Sequence, residues 1–214
     1  PGIGKSTLLL QVAAALARSH SVLYFSSEES GSQLKQRCLR LNIPSSLDLR
    51  FSDCADLAAI IATAEEEKPA VLIIDSIQNC FVNDGEQNLL PGSINHLKQA
   101  GFMLMHLAKK NHISVLVTGH ITKEGVMAGP KLLEHVVDGV FYLQGEDRWH
   151  VRMLRAVKNR FGTIDELGFF EMEGTGLQPV SNINAHLISK ISHAPGAALT
   201  CTLEGTRPLL LELQ

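Results

Sequence analysis

Pro1-Gly2-Ile3-Gly4-Lys5-Ser6-Thr7 is the second half of a phosphate-binding loop. The full pattern is Gly, four residues, then Gly-Lys-Ser/Thr, so the sequence is expected to begin inside the motif, its leading glycine lying about two residues before Pro1. Gly2 and Gly4 permit backbone conformations closed to residues with a Cβ, which lets successive N–H groups along Gly2, Ile3 and Gly4 turn toward the β- and γ-phosphates. Lys5 brings a point charge to the same oxygens, and the Ser6 hydroxyl is a ligand for Mg²⁺, with Thr7 ending the nucleotide-binding stretch. Downstream, Leu9, Val12, Ala13 and Leu16 recur at helical spacing, which predicts a helix whose positive N-terminal end lies under the phosphates. ATP with Mg²⁺ is the expected ligand.

Outward from this loop, short apolar runs alternate with helical patterns. Val22 to Phe25, Val71 to Ile74, Val115 to Thr118 and Val140 to Leu143 read as parallel strands buried on both faces. Leu34 to Leu41, Leu57 to Glu66 and the long segment from Ser93, where Ile94, Leu97, Gly101, Leu104 and Ala108 share a face, read as helices. This alternation predicts an α/β fold: a mainly parallel central sheet flanked by helices, with ligand chemistry at the carboxyl ends of its strands.

Three groups of residues fall at those ends. Asp75 closes the apolar run Val71 to Ile74, the position from which a carboxylate holds Mg²⁺ through its water shell. Glu28 and Glu29 follow the run Val22 to Phe25, and either is placed to orient and deprotonate the water that attacks the γ-phosphate, unless both merely favour the start of the next helix. His120, after Thr118 and Gly119, is a candidate sensor of the γ-phosphate or a structural histidine.

Composition narrows the classes. The chain has 214 residues, 45% of them hydrophobic, with eight prolines and seventeen glycines, enough for one sizeable core plus a remnant. Its four cysteines, Cys38, Cys54, Cys80 and Cys201, include no Cys-x-x-Cys pair, which argues against a zinc site or a disulfide framework and for a reducing cytoplasm. No apolar stretch approaches the roughly 20 residues of a membrane span, so no membrane partner is expected. A net charge of -3 is not the usual footprint of a nucleic-acid binder, but Arg148, Arg152, Arg155, Lys158 and Arg160 gather in one segment. That segment is a candidate for phosphate or DNA contact, or a solvated strand edge.

Together the phosphate loop, Glu28, Ile74-Asp75-Ser76 and His120 resemble the RecA-like P-loop ATPase core. Thr118 to Gly125, Ala128-Gly129-Pro130 and above all Lys158-Asn159-Arg160-Phe161-Gly162 resemble the bacterial RadA/Sms family, whose hallmark is that pentapeptide. The resemblance covers essentially the whole chain. It implies a homohexameric ATP hydrolase that binds single-stranded and branched DNA, works beside a RecA recombinase and promotes branch migration. The alternatives are a nucleotide-switched recombinase mediator that does not translocate, or another RecA-like hexameric helicase.

On an extended strand Lys158 and Arg160 would point to one face and reach a neighbour's γ-phosphate across a subunit boundary, or else contact DNA or solvent. The resembled family's channel loops correspond to Asn83 to His96 and Thr122 to Lys131. Lys123 and Lys131, with Arg148 and Arg152, are the candidate DNA contacts, a nucleotide-sensing loop being the alternative for the second segment. Zinc belongs only to the family's N-terminal module, expected upstream of this sequence. Residues 1 to 190 are expected to form the ATPase core and residues 191 to 214 to open a Lon-protease-like domain, weakly anchored because its partner strands are missing.

Overall fold

Val22–Ser26 (β1) and Val71–Asp75 (β3) are buried at every position, as two-sided apolar strands must be, and they pair in parallel at the centre of a four-stranded sheet. In the computed structural model, which describes residues 2–82, 90–119, 133–146, 151–188 and 198–213, Leu49–Ser52 (β2) and Ser114–Val117 (β4) flank them, in the order β2-β1-β3-β4. The described chain falls into two units, Lys5–Val137, which holds this sheet, and Asp138–Gln214, which Gly2–Gly4 join.

In the first unit, alternation along the strands divides the core. Leu23, Phe25, Leu72 and Ile74 pack against Leu57–Glu67 (α3) and Ile94–Asn111 (α4), through Leu57, Ile60, Leu97, Ala100, Leu104 and Leu107. Val22, Tyr24, Val71 and Ile73 face the other way, onto Leu10 and Ala13 of Lys5–Leu16 (α1) and Leu34 of Gly31–Arg40 (α2). The buried face of α1 is therefore centred on Thr7, Leu10 and Ala13, one position round from the expected one; with apolar residues on most sides of this helix, periodicity does not choose among faces. Asp56 caps α3 by accepting from the Ala58 N–H at 3.0 Å, and Lys68, in the left-handed region at φ 46°, ends it. β2 was not expected from the sequence, because its residues Leu-Arg-Phe-Ser bury only partly at the edge of the sheet.

The second unit corrects one expectation. Gly139–Glu146 (β5) is not a further parallel strand of the first sheet: it pairs antiparallel with Val151–Asn159 (β6) in a separate sheet completed by Leu167–Glu173 (β7) and Gly176–Pro179 (β8). Its apolar run Val140 to Leu143 reads equally well as either kind of strand, and pairing partners, not composition, decide between them. Beyond β8, Ile183–Ile188 (α5) leads to a hairpin of Ala198–Glu204 (β9) and Arg207–Leu213 (β10). The hairpin is better anchored than expected. Asn184 of α5 donates from Nδ2 to the Pro208 carbonyl at 3.0 Å and accepts from the Leu210 N–H at 3.1 Å, while Leu209 joins Val151, Leu167, Phe169 and Ile183 in a shared core.

Candidate active site

The loop before α1 has the required backbone. Gly2 (φ 82°) and Gly4 (φ 107°) are both in the left-handed region, and α1 starts at Lys5 immediately afterwards. Gly4 has no side chain to cap the first turn, and no acidic residue stands in that turn, so no negative side chain competes there with an anion. Lys5 and Ser6 are half-buried, while Thr7 is buried with its hydroxyl accepting from Arg37 Nη1 at 3.3 Å.

Asp75 ends β3 and is buried, only 2% exposed. Its carboxylate is fixed by two hydroxyls from neighbouring strands: Tyr24 of β1 donates to Oδ2 at 2.9 Å, and Thr118, just past β4, donates to Oδ1. A carboxylate buried this deeply is tolerated because donors on both sides stabilise its charge. Burial, and then the negative charge of Asp75, push the Tyr24 hydroxyl well above its ordinary value, so it remains a donor at neutral pH.

The exits of β1 and β3 are stitched together. The Ser27 hydroxyl donates to the Ser76 carbonyl at 2.8 Å and accepts from the Ser76 N–H at 3.0 Å; the Ser27 N–H donates to the Asp75 carbonyl at 2.8 Å. Ser76 in turn donates from its hydroxyl to Glu28 Oε1 at 2.6 Å, which ties this exposed carboxylate to the residue beside Asp75.

Glu29 has a different environment. It is ion-paired with Arg37 of α2, and its other oxygen, Oε2, is buried with no hydrogen-bond partner among the described residues. The two adjacent carboxylates, indistinguishable in the sequence, are thus separated by the structure: one stands at the strand exits beside Asp75, the other is neutralised by Arg37.

The donor set fits Mg²⁺ with a nucleotide. Ser6 Oγ and, through water, Asp75 would hold the ion, a hard cation suited to hydroxyl and carboxylate oxygens. When bound, it supplies positive charge to the β- and γ-phosphate oxygens.

The pentapeptide differs from expectation in one respect. Lys158 lies on β6 opposite Val140, but Arg160 is past the end of the strand, in a turn, so the two do not share a strand face. Asn159 builds that turn by accepting from the Phe161 N–H at 3.1 Å and donating to the Thr163 carbonyl at 3.3 Å. Arg160 pairs at 2.9 Å with Asp138, both side chains being more than half exposed. An exposed pair of this kind contributes little and releases readily. Phe161 is 85% exposed.

Of the candidate DNA contacts, Arg152 is on β6, where its Nε donates to the Ile3 carbonyl at 3.2 Å. His120, Lys123, Lys131 and Arg148 lie outside the described residues. Sequence reasoning missed the roles of Tyr24, Ser27, Ser76, Arg37 and the Thr118 hydroxyl. Of these, only Thr118 and Ser76 carried a signal, as polar residues at the ends of buried strands.

The sequence pattern described as AAA domain matches residues 1–126. The chain belongs to the AAA domain family. The chain is similar over its whole length to curated proteins named DNA repair protein RadA, at 43% identity in Pseudomonas aeruginosa, 46% in Synechocystis sp. and 45% in Streptococcus pneumoniae. The chain covers 47%, 46% and 50% of those proteins, so it spans about half the length of the curated relatives it matches. The resemblance to the RadA/Sms family therefore holds across the chain.

Among solved structures, the chain is similar to the flagellar accessory protein FlaH of Methanocaldococcus jannaschii, with a TM-score of 0.64 and 14% identity over 85% of this chain and 86% of that one. It is also similar to the RadB recombinase, with a TM-score of 0.61 and 20% identity over 84% of this chain and 86% of that one. At these identities the likeness concerns the fold alone, which is the RecA-like α/β fold, a parallel sheet flanked by helices, expected from the sequence. No helix among the described residues is long and apolar enough to cross a membrane.

Proposed function

We propose that this chain is the ATP-hydrolysing core of a cytoplasmic motor that acts on single-stranded and branched DNA in recombination and repair, assembled as a homohexamer and working beside a RecA-type recombinase. Residues 1 to 190 form the core in this reading, and residues 191 to 214 open a Lon-protease-like domain. The observation that carries the reading is the constellation at the exits of β1 and β3: buried Asp75 held by Tyr24 and Thr118, with Glu28 tied to the adjoining Ser76. The names of the RadA relatives supply the connection to DNA repair.

In the mechanism, the N–H groups of Gly2 to Gly4 and the charge of Lys5 bind the phosphates. Ser6 and Asp75 would hold Mg²⁺. Glu28 accepts the proton of the attacking water, a role worth about 10² to 10⁴ in rate. Glu29, neutralised by Arg37, fixes the segment that carries Glu28. His120 reports the γ-phosphate, and Lys158 with Arg160, released from Asp138, completes a neighbouring subunit's site in a head-to-tail ring. Lys123, Lys131 and Arg148 contact the DNA backbone.

The test is branch movement on a synthetic three-strand junction by the full-length protein, with ATP and with a non-hydrolysable analogue. Displacement with ATP alone supports the motor. Equal displacement with both, or DNA binding without displacement, makes the protein a nucleotide-switched mediator.

A further inference from the structure

Arg152 of β6 is half-buried, and among the described residues it has no ion pair. Its bonds are from Nε to the Ile3 carbonyl at 3.2 Å and from Nη1 to the Val151 carbonyl at 3.4 Å. Its register partner on β5 is Gly145, where a Cβ would meet Nη1 at 3.2 Å and Cδ and Cζ at 3.3 Å, so the arginine lies across a residue that leaves it room. Side chains alternate across this sheet. Val151, Leu167 and Phe169 face the core shared with Leu209, while Arg152, its partner Phe170 and Met172 stand on the opposite face. From the Met172 side, Met172 Cε lies 2.5 Å and Leu177 Cδ1 3.7 Å from where a Cβ on Gly4 would be. Two consecutive loop residues, Ile3 and Gly4, are therefore held by one face of the antiparallel sheet.

We propose that Arg152 is a positioning residue for nucleotide binding, setting the phosphate loop through the Ile3 carbonyl, and not a DNA contact. The carbonyl of Ile3 and the N–H of Gly4 belong to one planar trans peptide, so they point in opposite directions. Drawing the carbonyl toward the guanidinium aims the Gly4 N–H away from the sheet, and the positive charge polarises the peptide so that this N–H becomes a better donor. Ile3 lies between two left-handed glycines, a permissive stretch of backbone, and pinning one peptide there removes freedom that phosphate binding would otherwise have to remove. Among the described residues no carboxylate pairs with Arg152, whose charge stands beside a loop read as an anion site. The proposal rests on reading that loop as the nucleotide site.

The experiment is a titration of the full-length protein with a fluorescent ATP analogue and Mg²⁺, together with a labelled oligonucleotide and steady-state ATP turnover. Wild type, Lys5→Ala, Arg152→Ala and Arg152→Lys are compared, with melting curves recorded for each. Arg152→Ala is expected to weaken nucleotide binding about tenfold, the loss of one charge-assisted hydrogen bond. KM should rise in parallel, kcat at saturating ATP should stay within about threefold, and oligonucleotide affinity at saturating nucleotide should not change. Arg152→Lys, which keeps charge and a donor, should recover part of the loss.

Nucleotide affinity equal to wild type in Arg152→Ala, with Lys5→Ala impaired, overturns the proposal while the nucleotide site stands. Weakened oligonucleotide binding with nucleotide binding intact overturns it in favour of DNA contact. Wild type binding no better than Lys5→Ala removes the nucleotide reading and the proposal with it. If Arg152→Ala fails to fold, Arg152→Lys decides: nucleotide affinity a few-fold below wild type supports the proposal, and full wild-type affinity overturns it.

Discussion

Tyr24→Phe removes one oxygen from a fully buried side chain and leaves the ring in its place between the strands. What is lost is the 2.9 Å donation to Asp75 Oδ2. A hydrogen bond to an ionised group contributes about 1.5–3 kcal/mol, and leaving a buried carboxylate oxygen without a donor draws on that full range. Thr118 still donates to the other oxygen, which argues for the lower half, about 1.5–2 kcal/mol. In a chain of this size 1 kcal/mol corresponds to about 2–4 °C in Tm, so the variant should melt about 3–8 °C below wild type. The assay is thermal unfolding followed by circular dichroism, with Thr118→Val and the double variant completing a cycle. Because both hydroxyls serve one carboxylate, removing the second should cost more than removing the first, with a coupling of about 1 kcal/mol. A Tyr24→Phe protein that melts within about 1 °C of wild type, or a strictly additive cycle, would refute the claim that these hydroxyls make the buried Asp75 tolerable.

Glu28→Gln should lower ATP turnover at least about 100-fold with nucleotide binding retained, whereas Glu29→Gln should stay within about tenfold of wild-type turnover; equal losses would contradict the division of roles. Glu29→Gln instead weakens a partly buried ion pair with Arg37, and urea unfolding should register a loss of about 1–2 kcal/mol. Gly4→Ala combines a left-handed backbone at φ 107° with a Cβ 2.5 Å from Met172 Cε, so isothermal titration should show nucleotide binding abolished; shortening Met172 as well relieves the crowding but not the backbone, and binding should not return. At alkaline pH, the raised Tyr24 pKa contributes stability in full below the ordinary value near 10 and loses it progressively as the pH rises beyond that, because only the unfolded chain releases the proton there. Urea midpoints across that range should fall more steeply for wild type than for Tyr24→Phe.

Much of the first unit was legible because its signals are local. Val71 to Ile74 followed by Asp75 states a buried strand and its exit in five residues, and Gly4-Lys5-Ser6 states a loop and a helix start in three. The second unit was harder to read for a physical reason. Val140 to Leu143 has the same composition as the parallel strands, and only its pairing with β6, set by chain connectivity, makes it antiparallel. The site divides the same way. Lys5, Ser6 and Asp75 follow from motif spacing, but Tyr24 hides among the apolar residues of β1, and its hydroxyl acquires meaning only from a residue 51 positions away. Arg37 is likewise a solvated helix residue until α2 brings it to Thr7 and Glu29. Arg152 read as one member of a basic run because periodicity cannot show that its partner is a backbone carbonyl near the start of the chain.

The most direct test of an ATP-driven motor with shared sites is turnover by the full-length protein with and without single-stranded DNA, beside Lys5→Ala and Lys158→Ala. The account predicts that DNA raises turnover, that both variants lose it, and that Lys158→Ala still binds ATP. Wild type that binds ATP but turns it over at the same rate with and without DNA would contradict it.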